Sequence, residues 1–326
     1  MNHGIDMTLL FSGNKQKETF LEGLIYWITK NLESFTPPKE NTLLDIHPEL
    51  IESGINRKAF GELGLALRIL ERVPSLWQRN EIKSIREAWL DMAVENHIFF
   101  DATRRTRLFP LMVVSLSVIQ AINSENTSYI QDVKRTLQIV MDRGFMDRIE
   151  RSAWQKTDLK YYIDSLGLSH SFPSDVDLLR QSSLLLPPSI FYSTRMDLYG
   201  ITHLIFHLSD FGLKKILPLT SVEMNTVKEY VTLAMQLCLF EQDYDLTAEL
   251  IISSLYLQET NLTEQRAAIG RLVAAQHHDG FMPDKSWLIQ QETHSDEVFN
   301  EFLAVYHPTL VSLILVASDT HQHYYR

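Results

Sequence analysis

The stretch YGITHLIFHLSDFG, Tyr199–Gly212, decides how this chain is read. Wound as an α-helix, it sets Tyr199, His203, His207 and Asp210 along one face at i, i+4, i+8 and i+11. The other faces carry Ile201, Leu204, Ile205, Phe206, Leu208 and Phe211. A helix that is apolar nearly all round is a buried helix, so its polar stripe must be hydrogen-bonded internally, ligate a metal or line a wet cavity. We take the stripe to line a cavity, because a scaffold needs polar groups mainly where solvent reaches them.

Working outward, apolar residues recur at helical spacing over Lys15–Asn31, Arg57–Val73, Ser75–Ala93, Leu108–Ile122, Tyr129–Met141 and Trp154–Leu166, the last closed by Gly167. Beyond the opening stretch come Ser221–Phe240, Asp245–Leu257, Thr263–Gln276, Asp296–Ala304 and Pro308–Ala317, with Thr263 as an N-cap candidate. Leu32–Glu49, with Pro37, Pro38 and Pro48, reads as a loop or docking arm, and Ser169–Pro188 as a linker or a loop over a cavity mouth. Gly61 and Gly64 inside one helix mark close approach of a neighbouring helix. Strand-like alternation is almost absent, so the fold class is all-α. The helices pair at a spacing of about 40–50 residues, the period of helical arrays that are open or closed into a ring. Residues 1–168 form an N-terminal helical half, and 169–326 a C-terminal half with the site, the two making one continuous domain.

Composition narrows the function classes. With 30 Lys and Arg against 41 Asp and Glu, the formal net charge is −11, which argues against a nucleic-acid-binding surface. The dense basic run Arg104–Arg107 reads as a solvated helix end. Cys238, the single cysteine, lies in an apolar run as a small buried hydrophobe, so no disulfide framework exists and a cytoplasmic location is expected. The N-terminus shows no basic leader followed by an apolar region, and no run approaches 18 apolar residues, so neither a signal peptide nor membrane insertion is expected.

Two C-terminal motifs favour a closed ring. Gln276-His277-His278-Asp279-Gly280-Phe281 resembles the Q-x-x-D-G-x-[WF] motif of the terpenoid cyclase and protein prenyltransferase α/α toroids. Asp279-Gly280 is independently a strong turn former after a helix. Asp243-Tyr244-Asp245-Leu246-Thr247-Ala248 resembles the D-x-D-D-T-A motif of class II terpene cyclases, with Leu246 in place of the final Asp. The resemblance implies an α/α toroid of about six helix pairs with an irregular helical N-terminal part, and in Asp245 the acid that protonates an alkene or epoxide. Thr202-His203…Asp210-Phe211-Gly212 and Tyr306-His307-Pro308-Thr309-Leu310-Val311 are also similar to segments of uncharacterised bacterial proteins.

These features converge on an enzyme of specialised metabolism, a cyclase or isomerase of a small or lipophilic metabolite, with acid–base residues in a central cavity. His203 and Asp210 are expected as a hydrogen-bonded pair with His203 as proton carrier, Asp245 as the acid and His307, at a helix start before Pro308, as second base. Arg195 would pair with Asp197 or grip an anionic substrate group; Tyr192, Tyr199, Asp243 and Asp279 are the other candidate substrate contacts. His277 and His278 are expected at the same cavity mouth, whereas His294, His321 and His323 receive no role. No cofactor is needed in this reading. One alternative is a divalent-metal enzyme using His203, His207 and Asp210, although Leu204 stands where a zinc-protease H-E-x-x-H pattern has its base. Another is a helical scaffold that binds a peptide, protein or carrier partner without catalysis.

Overall fold

The computed structural model describes residues 10–37, 50–95, 98–99, 108–123, 127–216, 219–259, 262–293 and 300–324. Every regular element among them is helical, so the protein is all-α. In chain order the helices are α1 Asn14–Lys30, α2 Leu50–Glu71, α3 Pro74–Trp77, α4 Asn80–Glu95, α5 Phe109–Ile122, α6 Thr127–Asp142, α7 Phe145–Arg148, α8 Ala153–Leu166, α9 Asp175–Gln181, α10 Arg195–Leu208, α11 Ser221–Phe240, α12 Tyr244–Tyr256, α13 Thr263–Ala275, α14 Lys285–Thr293 and α15 Glu301–Tyr324. Arg104–Arg107, Pro38–Glu49 and His294 lie outside the described residues, as does the side chain of His323.

Contacts gather the chain into two compact units, residues 31–219 and a discontinuous unit of 1–30 with 220–326, rather than halves meeting at residue 168. One reason is that α8 and α9, which flank that position, are tied together. Lys160 donates to Asp164 at 2.6 Å and to Asp175 at 2.8 Å, and His170 meets Asp164 at 2.8 Å. These partners hold the Asp164 carboxyl below its ordinary range although its burial alone would raise it. The expected linker 169–188 therefore contains a helix, capped by Ser174, whose hydroxyl accepts from the Asp177 amide.

In the unit 31–219, α2 packs on α5, α5 on α8, and α8 on α10. The two glycines of α2 act as expected. A methyl group at Gly61 would meet Leu111 of α5 at 2.8 Å, and one at Gly64 would meet the Trp89 ring of α4 at 2.5 Å. Trp89 is fully buried, stacks on Phe60 at 4.7 Å and donates its indole N–H to the Phe60 carbonyl at 2.8 Å.

In the other unit, α15 packs on α12 and α1, and α11 on α12. Pro308 lies inside α15, so Asp296–Ala304 and Pro308–Ala317 do not form two separate helices over the described residues. Proline lacks the N–H that would bond four residues back, which costs the helix a bond without ending it. The Thr309 hydroxyl donates to the Val305 carbonyl at 2.6 Å. Residues Glu301–His321 are long and apolar enough to cross a membrane by length and composition, contrary to expectation, but 78% of that window is buried within the protein. Thr263 opens α13 as its first residue, and its N-cap is Leu262.

Gln276-His277-His278-Asp279-Gly280-Phe281 makes a turn against α1. The Gln276 amide donates to the Phe20 carbonyl at 3.0 Å and to the Gly280 carbonyl at 2.9 Å. Gly280 has φ +96°, and a methyl group there would fall 2.1 Å from the Gly23 oxygen, so only glycine fits. Phe281 is buried and meets Trp27 edge-on at 6.2 Å.

Candidate functional site

The opening stretch folds as α10 for most of its length and then departs from the helix. Thr194 and Asp197 form a capping box at the N-terminus, where Asp197 accepts from the Thr194 amide at 2.8 Å and its hydroxyl at 2.7 Å. These bonds hold the Asp197 carboxyl below its usual range. Arg195 lies over the Tyr199 ring at 5.2 Å. Tyr199 meets the His203 ring edge-on at 6.2 Å, and His203 lies 5.9 Å from His207, so these three do share one face.

Asp210 does not share it. The helix ends at Leu208, and Asp210, Phe211 and Gly212 adopt φ of 49°, 50° and 86°. Arg72, just beyond the end of α2, holds this left-handed turn, donating to the Asp210 carbonyl at 2.8 Å and to its carboxylate at 2.9 Å. Tyr161 of α8 adds its hydroxyl at 2.7 Å. The expected His203–Asp210 pair is therefore replaced, and His203, His207 and Asp210 do not converge as metal ligands. The cause is the helix end, which turns the carboxylate toward one guanidinium and one phenol.

The carboxylate that meets the histidines is Asp158 of α8. Its oxygens stand 3.2 Å from His207 Nε2 and 3.8 Å from His203 Nδ1. His207 Nδ1 lies 2.8 Å from the His203 carbonyl. A carbonyl only accepts, so Nδ1 carries the hydrogen and a neutral His207 presents a bare Nε2 to Asp158. A 3.2 Å contact between that nitrogen and a carboxylate oxygen is attractive only with a proton between them. A proton supplied to either atom would turn this contact into a hydrogen bond, so the pair is built to take up and release one. Burial pushes the imidazole of His207 below its ordinary value while Asp158 pulls it up; burial likewise raises Asp158, but His207 and His203 outweigh it and hold the carboxyl low. The Tyr162 hydroxyl stands 3.5 Å from the same Nε2, and burial and the neighbouring Asp158 keep that phenol protonated well above its usual range.

Asp158 opens onto a cavity of about 420 Å³ whose walls include Pro110, Val114, Trp154, Leu159 and Tyr162, with Glu150 and Arg151 also lining it. Trp154 meets the His203 ring edge-on at 5.4 Å. His207 lines a second cavity of about 250 Å³ with Arg68, Tyr161, Asp210 and Lys214. There Arg68 lies over the Tyr161 ring at 5.3 Å and donates to Ser117 at 2.8 Å.

Apart from Tyr192, the remaining candidates lie in the unit of 1–30 and 220–326. Asp245 and His307 do meet, at 3.4 Å, and Glu249 joins them 3.7 Å from the same imidazole nitrogen. His307 lies well inside α15 and not at a helix start. Asp243 is the N-cap of α12, its carboxylate accepting from the Leu246 amide at 3.2 Å. His277, His278 and Asp279 stay together in their own turn, with Asp279 3.5 Å from His277. Tyr192 is 83% exposed.

Glu249 and Asp158, which the sequence reading does not single out, each carry one signal in the sequence. Each is an acid inside a helix flanked by residues that prove buried, Leu246 and Leu250 around Glu249 and Thr157 and Leu159 around Asp158. Residues 21–317 match the model of a family described as a domain of unknown function (DUF6895). No curated protein and no solved structure matches the chain.

Proposed function

We propose that this chain, which belongs to the DUF6895 family across residues 21–317, is an enzyme that moves a proton on a small, largely apolar metabolite, as an isomerase or cyclase does. The observation that carries the reading is the 3.2 Å contact of Asp158 with His207, with Asp158 on the wall of a cavity of about 420 Å³. That volume lies in the range of small-molecule sites, roughly 300–1,000 Å³. In this reading Asp158 faces the substrate and gives or takes the proton, while His207 behind it supplies or receives the counterpart. The Tyr162 hydroxyl, 3.5 Å away, faces the same Nε2 when that nitrogen is bare. His203 is the second proton carrier, and Arg151 the group that would hold a polar or anionic end of the ligand. The chemistry calls for no cofactor at this cavity.

An α/α toroid of about six helix pairs belongs to the same proposal. It is supported by the Gln276–Gly280 turn, which packs on α1 through Gln276 and Gly280. A cytoplasmic place in biosynthesis is the biological setting proposed for it.

The experiment is proton exchange. A panel of small lipophilic metabolites is screened by the shift in unfolding temperature, and each binder is incubated with enzyme in D2O and weighed by mass spectrometry. Deuterium uptake that Asp158→Asn reduces at least about 100-fold, the scale of general acid–base catalysis, is the expected result. A binder whose exchange survives Asp158→Asn unchanged refutes the assignment.

A second reading, partner binding, is favoured by one observation. Leu186, Phe191, Tyr192 and Met196 are 87%, 84%, 83% and 61% exposed within eleven residues just before and at the start of α10. An apolar stretch of this kind suits a protein or carrier partner.

A further inference from the structure

We propose that Asp245, Glu249 and His307 form a binding site for one divalent transition-metal ion of the zinc class, separate from the Asp158 cavity and independent of the function proposed for it. The ligand atoms of the three residues all lie within 4.8 Å of one another. Asp245 and Glu249 are one helical turn apart on α12, so both carboxylates leave the same face. Helix α15, packed on α12, brings His307 Nε2 to 3.4 Å from Asp245 and 3.7 Å from Glu249.

These separations suit a shared ion. Oxygen and imidazole nitrogen ligands sit about 2.0–2.2 Å from zinc, which places two ligands at a tetrahedral angle about 3.3–3.6 Å apart. The Asp245 distance falls at that spacing and the Glu249 distance just beyond it, and burial is the second argument. The two carboxylate side chains are only 3% and 2% exposed, so both oxygen ligands are enclosed by the protein. Metal binding favours the ionised carboxylates and neutral imidazole that such a ligand set supplies.

The donor set further narrows the ion. One imidazole with two carboxylates suits zinc, manganese or iron(II) more than calcium or magnesium, which favour all-oxygen shells. Three protein ligands leave a fourth position for water or a ligand oxygen, and His307 is 22% exposed, so solvent reaches the site from its side. The other His–Asp group of the described residues, His277, His278 and Asp279, lies in one turn where His278 is 83% exposed, and it lacks this enclosure.

The full-length protein, stripped with chelator, is titrated with Zn²⁺ alone against a competing chromophoric chelator, and its unfolding temperature is followed in parallel. The expected result is one tight site per chain that stabilises the fold. His307→Ala and Glu249→Gln are expected to weaken binding at least tenfold and to remove the thermal shift, whereas His277→Ala/His278→Ala leaves both unchanged. His307→Ala, at a partly exposed position, serves if Glu249→Gln does not fold. No tight site in the wild type, or a site lost in the His277/His278 variant and kept in His307→Ala, overturns the proposal. Either outcome leaves the proton-exchange test at Asp158 unaffected.

Discussion

Replacing Gly280 by alanine should be among the most damaging single-methyl changes in this protein. The backbone there has φ +96°, a region that costs a residue with a Cβ about 1–2 kcal/mol. The new methyl would fall 2.1 Å from the carbonyl oxygen and 2.7 Å from the carbonyl carbon of Gly23. Both are backbone atoms of α1, so relief requires moving a helix or the turn, which is an overpacking cost of about 1–3 kcal/mol. Any such shift also strains the 2.9 Å bond from the Gln276 amide to the Gly280 carbonyl, worth about 1 kcal/mol. The expected total is about 3–6 kcal/mol, the lower end applying if the turn relaxes as a unit. Gly270 supplies the control. It lies exposed within α13 with open space around it, so Gly270→Ala should stabilise by about 0.5–1 kcal/mol through helix propensity. Urea unfolding of the two variants beside the wild type reads both signs. A Gly280→Ala loss below about 1 kcal/mol would refute the claim that Gly23 and Gly280 lock the turn to α1.

Two other outcomes follow from the unit 31–219. Asp210→Ala leaves the Arg72 guanidinium and the Tyr161 hydroxyl without their shared carboxylate and should cost about 1–3 kcal/mol in urea unfolding, a figure moderated by the partial exposure of Asp210. Asp210→Asn, which keeps an acceptor oxygen, should cost clearly less; equal losses would argue against the hydrogen-bonded turn. Asp158 sets the acid response. Its folded value lies below the unfolded value of about 3.9, so its contribution is present above that pH and is lost as the pH falls through the folded value. Between about pH 5 and pH 3 the wild type should lose more stability than Asp158→Asn, and parallel curves would contradict the assigned ionisation.

How far the site could be read in advance depends on where each partner comes from. Tyr199, His203 and His207 share a face because helical spacing alone puts them there, and the buried character of α10 follows from its apolar residues. Asp210 failed because a helix end is a competition. Continuing the helix would satisfy local hydrogen bonds, but Arg72 and Tyr161, 138 and 49 residues away, supply donors that the left-handed turn can accept. The pairing of Asp245 with His307 was anticipated as two members of one acid–base set, yet the proline after His307 suggested a helix start that packing overrode.

Sequence by itself determined the helical class, most helix positions, the Asp279-Gly280 turn and the close approaches at Gly61 and Gly64, because periodicity, turn chemistry and the absence of a Cβ act locally. Tertiary structure alone decided which carboxylate faces which imidazole. Asp158 reaches His207 from α8, and Glu249 and His307 meet across α12 and α15. Local propensity does not encode such pairings. They are selected when two buried faces pack, since a charge taken out of water is tolerated only where the opposing helix brings its proton, its countercharge or a shared ion.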